Sequence, residues 1–214
     1  MSQVTEQMKK WIGDFGDQYT QRNALSIQGL DDYYTAEYGE GITASGLSKE
    51  FLGGLNRDIK ILEVGCNIGN QLAILQRLGF QNLYGIEINK SAIEIGKKNT
   101  KDISVIFGSA FDIPFKDNYF DLVFTAGVLI HINPKDVKKV LKEIHRCADQ
   151  YIWGYEYYAE RYTQVIYRGN KQLEWKANFP KIYTDTFKDL KLIKTRFLKY
   201  VKNDNVDVMF LLKK

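Results

Sequence analysis

Glu63-Val64-Gly65-Cys66-Asn67-Ile68-Gly69 is the stretch on which the fold turns. Before it lies the apolar run Ile59 to Val64, and after it Leu72, Leu75 and Leu78 recur at helical spacing until Gly79 supplies a stop. A short apolar run ending in glycine reads as a buried parallel strand, so the segment is a strand-to-helix turn. In an open α/β sheet, ligands bind beyond the carboxyl ends of the strands, which places this turn at a ligand. Gly65 lets the backbone turn tightly and approach the ligand, and Gly69 lets the helix approach the sheet. Asn67 stands where glycine is common, and Asn is among the few other residues that tolerate a left-handed conformation. Cys66, a small side chain inside the turn, is counted with the ligand-facing residues.

Working outward, the strand-and-helix alternation repeats. Asn82 to Ile88 reads as a second strand, with Glu87 and Ile88 at its end, about twenty residues after the turn; an acid at that distance can accept hydrogen bonds from both hydroxyls of a ribose. Ser91 and Glu94 form a capping-box pattern that opens the next helix. Ile103 to Phe107 is a third strand ending in Gly108-Ser109-Ala110-Phe111-Asp112, where backbone and Ser109 could edge an adenine. Phe120 to Thr125 is a fourth, ending in Thr125-Ala126-Gly127-Val128-Leu129, whose small residues Ala126 and Gly127 leave room for a ligand. Asn133-Pro134 reads as a helix start, with Val137, Val140, Leu141 and Ile144 as the inward face. Tyr151 to Tyr155 is a fifth strand, and an aromatic insertion of about 156–188 follows. Two closing strands, Leu192 to Val201 and Val206 to Leu212, flank the turn Lys202-Asn203-Asp204-Asn205.

The expected fold is therefore α/β: a Rossmann-like, doubly wound, mostly parallel sheet with one antiparallel strand at or near its edge. Residues 1–57, where Trp11, Phe15 and Tyr19 recur at helical spacing, read as an N-terminal helical cap. Residues 58–214 carry the Rossmann-like domain, the two forming one structural unit. One glycine-rich turn alone is an ordinary connection, and Glu87 alone an ordinary solvated acid. Four strand ends agreeing in order are what point to a nucleotide-type ligand.

A chain of 214 residues, 44% hydrophobic, suffices for one domain with a full core. Its net charge of +4, spread over mixed signs, does not suggest a nucleic-acid binder. The two cysteines, Cys66 and Cys147, have neither metal-ligand nor disulfide spacing, so no metal is expected. Neither a secretory signal pattern nor a stretch of membrane-spanning length is seen. The expectation is a cytoplasmic monomer or homodimer with a small-molecule partner, away from nucleic acid and membrane.

From Ile59 to Ile144 these motifs resemble class I S-adenosylmethionine-dependent methyltransferases. The resemblance implies S-adenosyl-L-methionine as cofactor and S-adenosyl-L-homocysteine as product. In that family the glycine-rich turn holds the methionine part, the acid after the second strand binds ribose, and the third strand's end flanks adenine. Glu63 is suited to the ligand's α-amino group, directly or through water. The sequence departs from the family at Ser109, where an acid is usual, and at Asn67, which also counts against a dinucleotide pyrophosphate. A narrower likeness lies in Trp11-Ile12-Gly13-Asp14-Phe15-Gly16-Asp17-Gln18-Tyr19 with Arg22-Asn23, and in Tyr155 through Tyr158 and Tyr167-Arg168-Gly169 to Trp175. Both segments resemble methyltransferases associated with pseudaminic acid biosynthesis, implying a sugar or nonulosonic-acid type acceptor methylated at O or N.

Methyl transfer from a sulfonium is an in-line displacement in which the protein aligns donor and acceptor and excludes water. A hydroxyl acceptor usually needs a base. His131, just past the fourth strand, is the candidate, and its bland alternative is a packing or turn-capping role; His145 reads as a solvated helix residue. Tyr19 and Arg22, three apart, would share a helix face, with Arg22 on the donor's carboxylate; the alternative is a core aromatic and a surface arginine. In the insertion, Tyr157, Tyr158, Tyr162, Tyr167 and Trp175 could wall a sugar ring, with Arg161 or Arg168 for a carboxylate or phosphate, or form a small lid's core. Competing functions are a protein or RNA methyltransferase, an NAD-dependent oxidoreductase, and a non-catalytic nucleotide-binding module.

Overall fold

The computed structural model describes residues 4–214, so the first three residues of the expected cap lie outside it. Four helices come first: α1 (Glu6–Ile12), α2 (Asp14–Arg22), α3 (Ile27–Tyr38) and α4 (Ala44–Leu52). The Trp11, Phe15, Tyr19 periodicity spans two helices, because the chain is extended at Gly13, where α1 ends and α2 begins. Thr5, Ser26 and Thr43 cap α1, α3 and α4 by accepting a backbone N–H with their hydroxyls.

The alternating part follows as β1 (Lys60–Val64), α5 (Asn70–Arg77), β2 (Asn82–Glu87), α6 (Lys90–Asn99), β3 (Ser104–Phe107), β4 (Phe120–Ala126), α7 (Val137–Cys147) and β5 (Ala148–Tyr157). The insertion is a hairpin, β6 (Thr163–Tyr167) with β7 (Asn170–Lys176), and a helix, α8 (Phe179–Thr186). Strands β8 (Lys191–Lys199) and β9 (Val206–Lys213) close the chain. The main sheet has seven strands in the order β3-β2-β1-β4-β5-β9-β8. Pairings among β1 to β5 are all parallel, and β9 alone runs antiparallel to both its neighbours. The expected Rossmann-like order is present, with the reversed strand one place in from the edge.

Two helix starts differ from the sequence reading. Asn89, not Ser91, caps α6, its side chain accepting from the Ala92 N–H. Asn133-Pro134 opens a turn rather than the helix. The Asn133 carbonyl accepts from Asp136 and Val137 N–H, and α7 proper begins at Val137.

Apolar layers cover both faces of the sheet. Val137, Val140, Leu141 and Ile144 of α7 pack with Phe179 and Tyr183 of α8 on one face. Leu47, Phe51 and Leu52 of α4 pack with Leu72 and Leu75 of α5 on the other. β9 serves both, Val208, Phe210 and Leu212 facing one layer and Met209 and Leu211 the other. Each fully buried aliphatic side chain contributes about 1.5–3 kcal/mol, so the α7 face alone fixes that helix. Among the described residues no helix is long and apolar enough to cross a membrane.

Candidate cofactor and acceptor site

A cavity of about 320 Å³ opens at the carboxyl ends of β1, β2, β4 and β5, roofed by α1 and α2. Its floor is the glycine-rich turn. Gly65 adopts φ +72°, Asn67 φ +48° and Gly69 φ +81°, so the left-handed tolerance read for Asn67 is used. The Gly65 and Cys66 N–H groups both donate to the Ile86 carbonyl, at 2.8 and 3.0 Å, which folds the turn back over β2. A Cβ built on Gly65 would lie 2.7 Å from Val128 Cγ2, closer than real Cβ contacts. Asn67 Nδ2 donates to Thr20 Oγ1 at 2.9 Å, tying the turn to α2.

Glu87 is buried at the end of β2. Its Oε2 accepts from the Asn67 N–H at 2.9 Å, and its Oε1 from Ile88 and Asn89 N–H at 2.8 Å each. Burial pushes this carboxyl above the usual range while those backbone donors pull it back. An ionised carboxylate offers about four acceptor positions, so one remains. Glu63 is buried too, and its Oε2 has no partner among the described residues. Burial first, and the neighbouring Glu87 charge second, push its carboxyl well above the ordinary value. Gly65, Cys66, Ile88, Ser109, Ala110, Phe111, Ala126, Gly127 and Tyr19 complete the expected cofactor-side lining. The Ser109 hydroxyl accepts from the Phe111 N–H at 3.1 Å, shaping the third strand's end.

His131 also lines the cavity, in a single 3₁₀ turn (Leu129–His131) after β4. Its Nδ1 lies 2.9 Å from the Leu173 carbonyl of β7. A carbonyl can only accept, so Nδ1 carries the proton and Nε2 keeps a free lone pair. Burial pushes the imidazole down to about 4, with the Leu173 bond a smaller opposing effect. The Trp11 ring packs on it, centroids 4.5 Å apart. Such a group accepts hydrogen bonds readily and takes up a full proton reluctantly. Beneath it, the buried Glu156 carboxylate accepts from Val128 and Ile130 N–H at 3.2 and 3.3 Å, holding the turn in place. The chain has two histidines, so nitrogen-detected NMR can follow each. His131 is expected to stay the neutral Nδ1–H tautomer down to about pH 4; titration near pH 6.5 would show the ring to be solvated.

Several expected site residues, Arg22 on the donor side and four of the insertion on the acceptor side, are elsewhere. Arg22, in the last turn of α2, is exposed and does not line the cavity, although Tyr19 does. Spacing three apart gives neighbours, but the inward side of α2 runs through Gly16, Tyr19 and Thr20 and leaves Arg22 outside. Arg22→Ala is therefore expected to leave affinity for S-adenosylhomocysteine within about twofold, the range of an ordinary surface change; a tenfold loss by calorimetry would return Arg22 to the site. Tyr157 packs with Tyr200 and under the Lys176 ammonium, and Tyr158 against Phe197, with its hydroxyl on Glu160. Arg161 and Arg168 are exposed on the insertion. None of these four lines the cavity. Of the aromatic wall, only Tyr167 comes near, 5.8 Å from His131 by ring centroids; Trp175 is buried in the hairpin's support and Tyr162 packs on Phe179.

In their place the cavity takes Trp11, Tyr33, Tyr34 and Tyr155, with Gln71 and Asn89. Tyr155 lies just before β5 ends at Tyr157 and could have been found by the strand-end rule; Tyr33 and Tyr34 lie on α3, with no local signal for which way they face. Behind Tyr155 the buried Asp207 carboxylate accepts from Tyr155 Oη at 3.1 Å, from Tyr200 Oη at 3.0 Å, and from Tyr38. Among the described residues no group of three metal-ligating side chains is placed to hold a metal ion.

This sheet order, with the reversed β9 and the ligand-facing turn after β1, is the Rossmann-like fold of methyltransferases. Residues 62–150 match the methyltransferase domain family. The demethylmenaquinone methyltransferase of Staphylococcus aureus is 32% identical over 98 residues, covering 44% of this chain and 40% of that protein. The chain thus spans about two fifths of the length of the curated relatives it matches. Among solved structures, Burkholderia thailandensis 1,6-didemethyltoxoflavin-N1-methyltransferase, with bound 1,6-didemethyltoxoflavin and S-adenosylhomocysteine, superposes with TM-score 0.65 and 12% identity over 94% of this chain and 89% of that one. An S-adenosylmethionine-dependent methyltransferase of Methanosarcina mazei gives TM-score 0.64 and 16% identity over 77% of this chain and 96% of that one.

Proposed function

We propose that this protein is an S-adenosylmethionine-dependent methyltransferase acting on a small molecule. The observation that carries the reading is the pair of buried carboxyls, Glu63 and Glu87, at a left-handed turn whose Gly65 leaves no room for a side chain. The fit to the cofactor is chemical: Glu63 Oε2 is buried, without a partner, and suited to an ammonium group. Glu87, fixed by three backbone donors, would accept from a ribose hydroxyl at its remaining position, and Ile88 with residues 109–111 would flank the adenine. When bound, S-adenosylmethionine supplies a sulfonium-activated methyl group. Residues of this chain orient the acceptor and keep water out: Trp11 and Tyr19 roof the cavity, and Tyr155 and His131 stand where β4 and β5 end.

For the acceptor we favour a carbohydrate-type molecule. The likeness of residues 11–23 and 155–175 to methyltransferases associated with pseudaminic acid biosynthesis supports it, and the rings of Trp11, Tyr33 and Tyr34 offer apolar faces for the C–H face of a sugar. Calorimetric titration with S-adenosylmethionine, S-adenosylhomocysteine and NAD tests the cofactor assignment. The first two are expected to bind and NAD is not; preferential NAD binding would make the protein an oxidoreductase candidate.

A further inference from the structure

We propose that the atom methylated in this cavity is an amine nitrogen, on an acceptor that brings no carboxylate or phosphate against the wall of Tyr33, Tyr34, Tyr155 and His131. The inference rests on the methyltransferase reading and narrows it. Its first support is the charge of the lining. The only ionic side chains on the cavity are Glu63 and Glu87, and no Lys or Arg lines it among the described residues. The arginines that could have met an anion, Arg22, Arg161 and Arg168, are exposed away from it. Lys176, the cation that most steadies the Asp207 region, is held over the Tyr157 ring at 4.4 Å and on Asn205. An anionic acceptor would be desolvated on a lining whose charged side chains are carboxyls and which offers it no Lys or Arg, the arrangement that buried sites avoid.

The second support is the polarity of the hydrogen bonds. His131 spends its one N–H on Leu173, so Nε2 can only accept. Tyr155, Tyr38 and Tyr200 converge on a carboxylate that can only accept, so the Tyr155 proton is committed inward to the Asp207–Tyr38 cluster. Its oxygen, polarised by the carboxylate behind it, is left as an acceptor. Two acceptors at the ends of β4 and β5 call for a ligand that donates, and an amine carries the protons to do so.

The third support is proton balance. A hydroxyl acceptor must lose its proton as the new O–C bond forms, and His131, buried under Trp11, is a poor place to put it. An amine attacks with its lone pair: the N–C bond forms, the S–C bond breaks with its pair going to sulfur, and the positive charge passes from sulfur to nitrogen. No proton moves in that step. The ammonium N–H groups donate to Tyr155 Oη and His131 Nε2, and the surplus proton leaves to water on release.

Three probes of one shape and different charge test this: phenethylamine, 2-phenylethanol and phenylacetate, titrated calorimetrically into protein saturated with S-adenosylhomocysteine. Failure of S-adenosylhomocysteine itself to bind would remove the methyltransferase reading before the probes are added. With it bound, the amine is expected to bind about tenfold or more tighter than the alcohol, as charge-assisted bonds exceed neutral ones, and phenylacetate weakest. Tyr155→Phe should cost the amine, whose bond is charge-assisted, several-fold more than the alcohol, bringing the two affinities together. Equal or reversed order, or no binding by any of the three, overturns the proposal. Trideuteromethyl-labelled donor followed by mass spectrometry gives a second reading: label on nitrogen supports it, and label on the alcohol oxygen or the carboxylate overturns it.

Discussion

Glu87→Ala is expected to weaken binding of S-adenosylmethionine and S-adenosylhomocysteine by roughly 10–10²-fold, since the one charge-assisted hydrogen bond its three backbone donors leave room for, of about 1.5–3 kcal/mol, is lost, less what water restores. The geometry adds a second effect. Glu87 is also the acceptor for Asn67, Ile88 and Asn89 N–H, so the variant leaves three donors of the site's own backbone short of a partner. Each unsatisfied buried donor costs about 1–3 kcal/mol, so the melting temperature should fall as well. Calorimetry at a temperature where circular dichroism shows the variant folded separates the two. Undiminished affinity in folded protein would take Glu87 out of the ribose role.

Gly65→Val is expected to abolish donor binding altogether. The residue sits at φ +72°, and a left-handed conformation costs an L-residue about 1–2 kcal/mol before any contact is counted. Its Cβ alone would press within 2.7 Å of Val128 Cγ2, and valine adds two methyl groups to a place with no space for one. Overpacking of that kind costs about 1–3 kcal/mol more, and any relaxation pushes Val128 or the turn into the cavity. Near-normal affinity in a folded variant would detach the turn from the site.

The parts of this molecule legible from sequence are those where one short segment carries its own geometry. A strand, a left-handed turn and a helix in immediate succession fix the floor of the cavity. Glu63, Gly65, Asn67, Glu87, Ser109 and Gly127 therefore stand together as read. The acceptor wall is different, because it is assembled from segments far apart in the chain. Periodicity says that Tyr19 and Arg22 are neighbours, not that α2 presents only the first to the cavity. In the insertion, Arg161 and Tyr162 precede β6 and Arg168 sits at φ +49° in the turn between β6 and β7, so strand alternation does not set where they point, and the inward places depend on packing against β5 and His131. Leu173 and Trp175 took the inward places, leaving Arg161 and Arg168 outside. Helix starts moved by a few residues for a related reason: Asn89 offered its side chain as a cap ahead of Ser91, while Asn133 spent its own on the Lys135 N–H in a turn and left α7 to begin at Val137.

The roof over the cavity carries a consequence for how the protein is made. Its anchors all lie on partners synthesised long after it, from Asn67, 47 residues beyond Thr20, to Gln172, whose carbonyl accepts from Gln7 across a separation of 165. Asn89 grips it as well, its Nδ2 donating to the Trp11 carbonyl and to Asp17, where Gly16 has no side chain to keep the two apart. Residues 5–22 thus emerge from the ribosome before the partners they dock on, and contacts of such long range close late. On that order the sheet assembles with its cavity open, and the roof is expected to settle last and to lift first. In native-state hydrogen exchange its amides should open at a lower free energy than those of β1 and β4, leaving a nascent or partly unfolded molecule with its carboxyl pair already formed and still open to solvent.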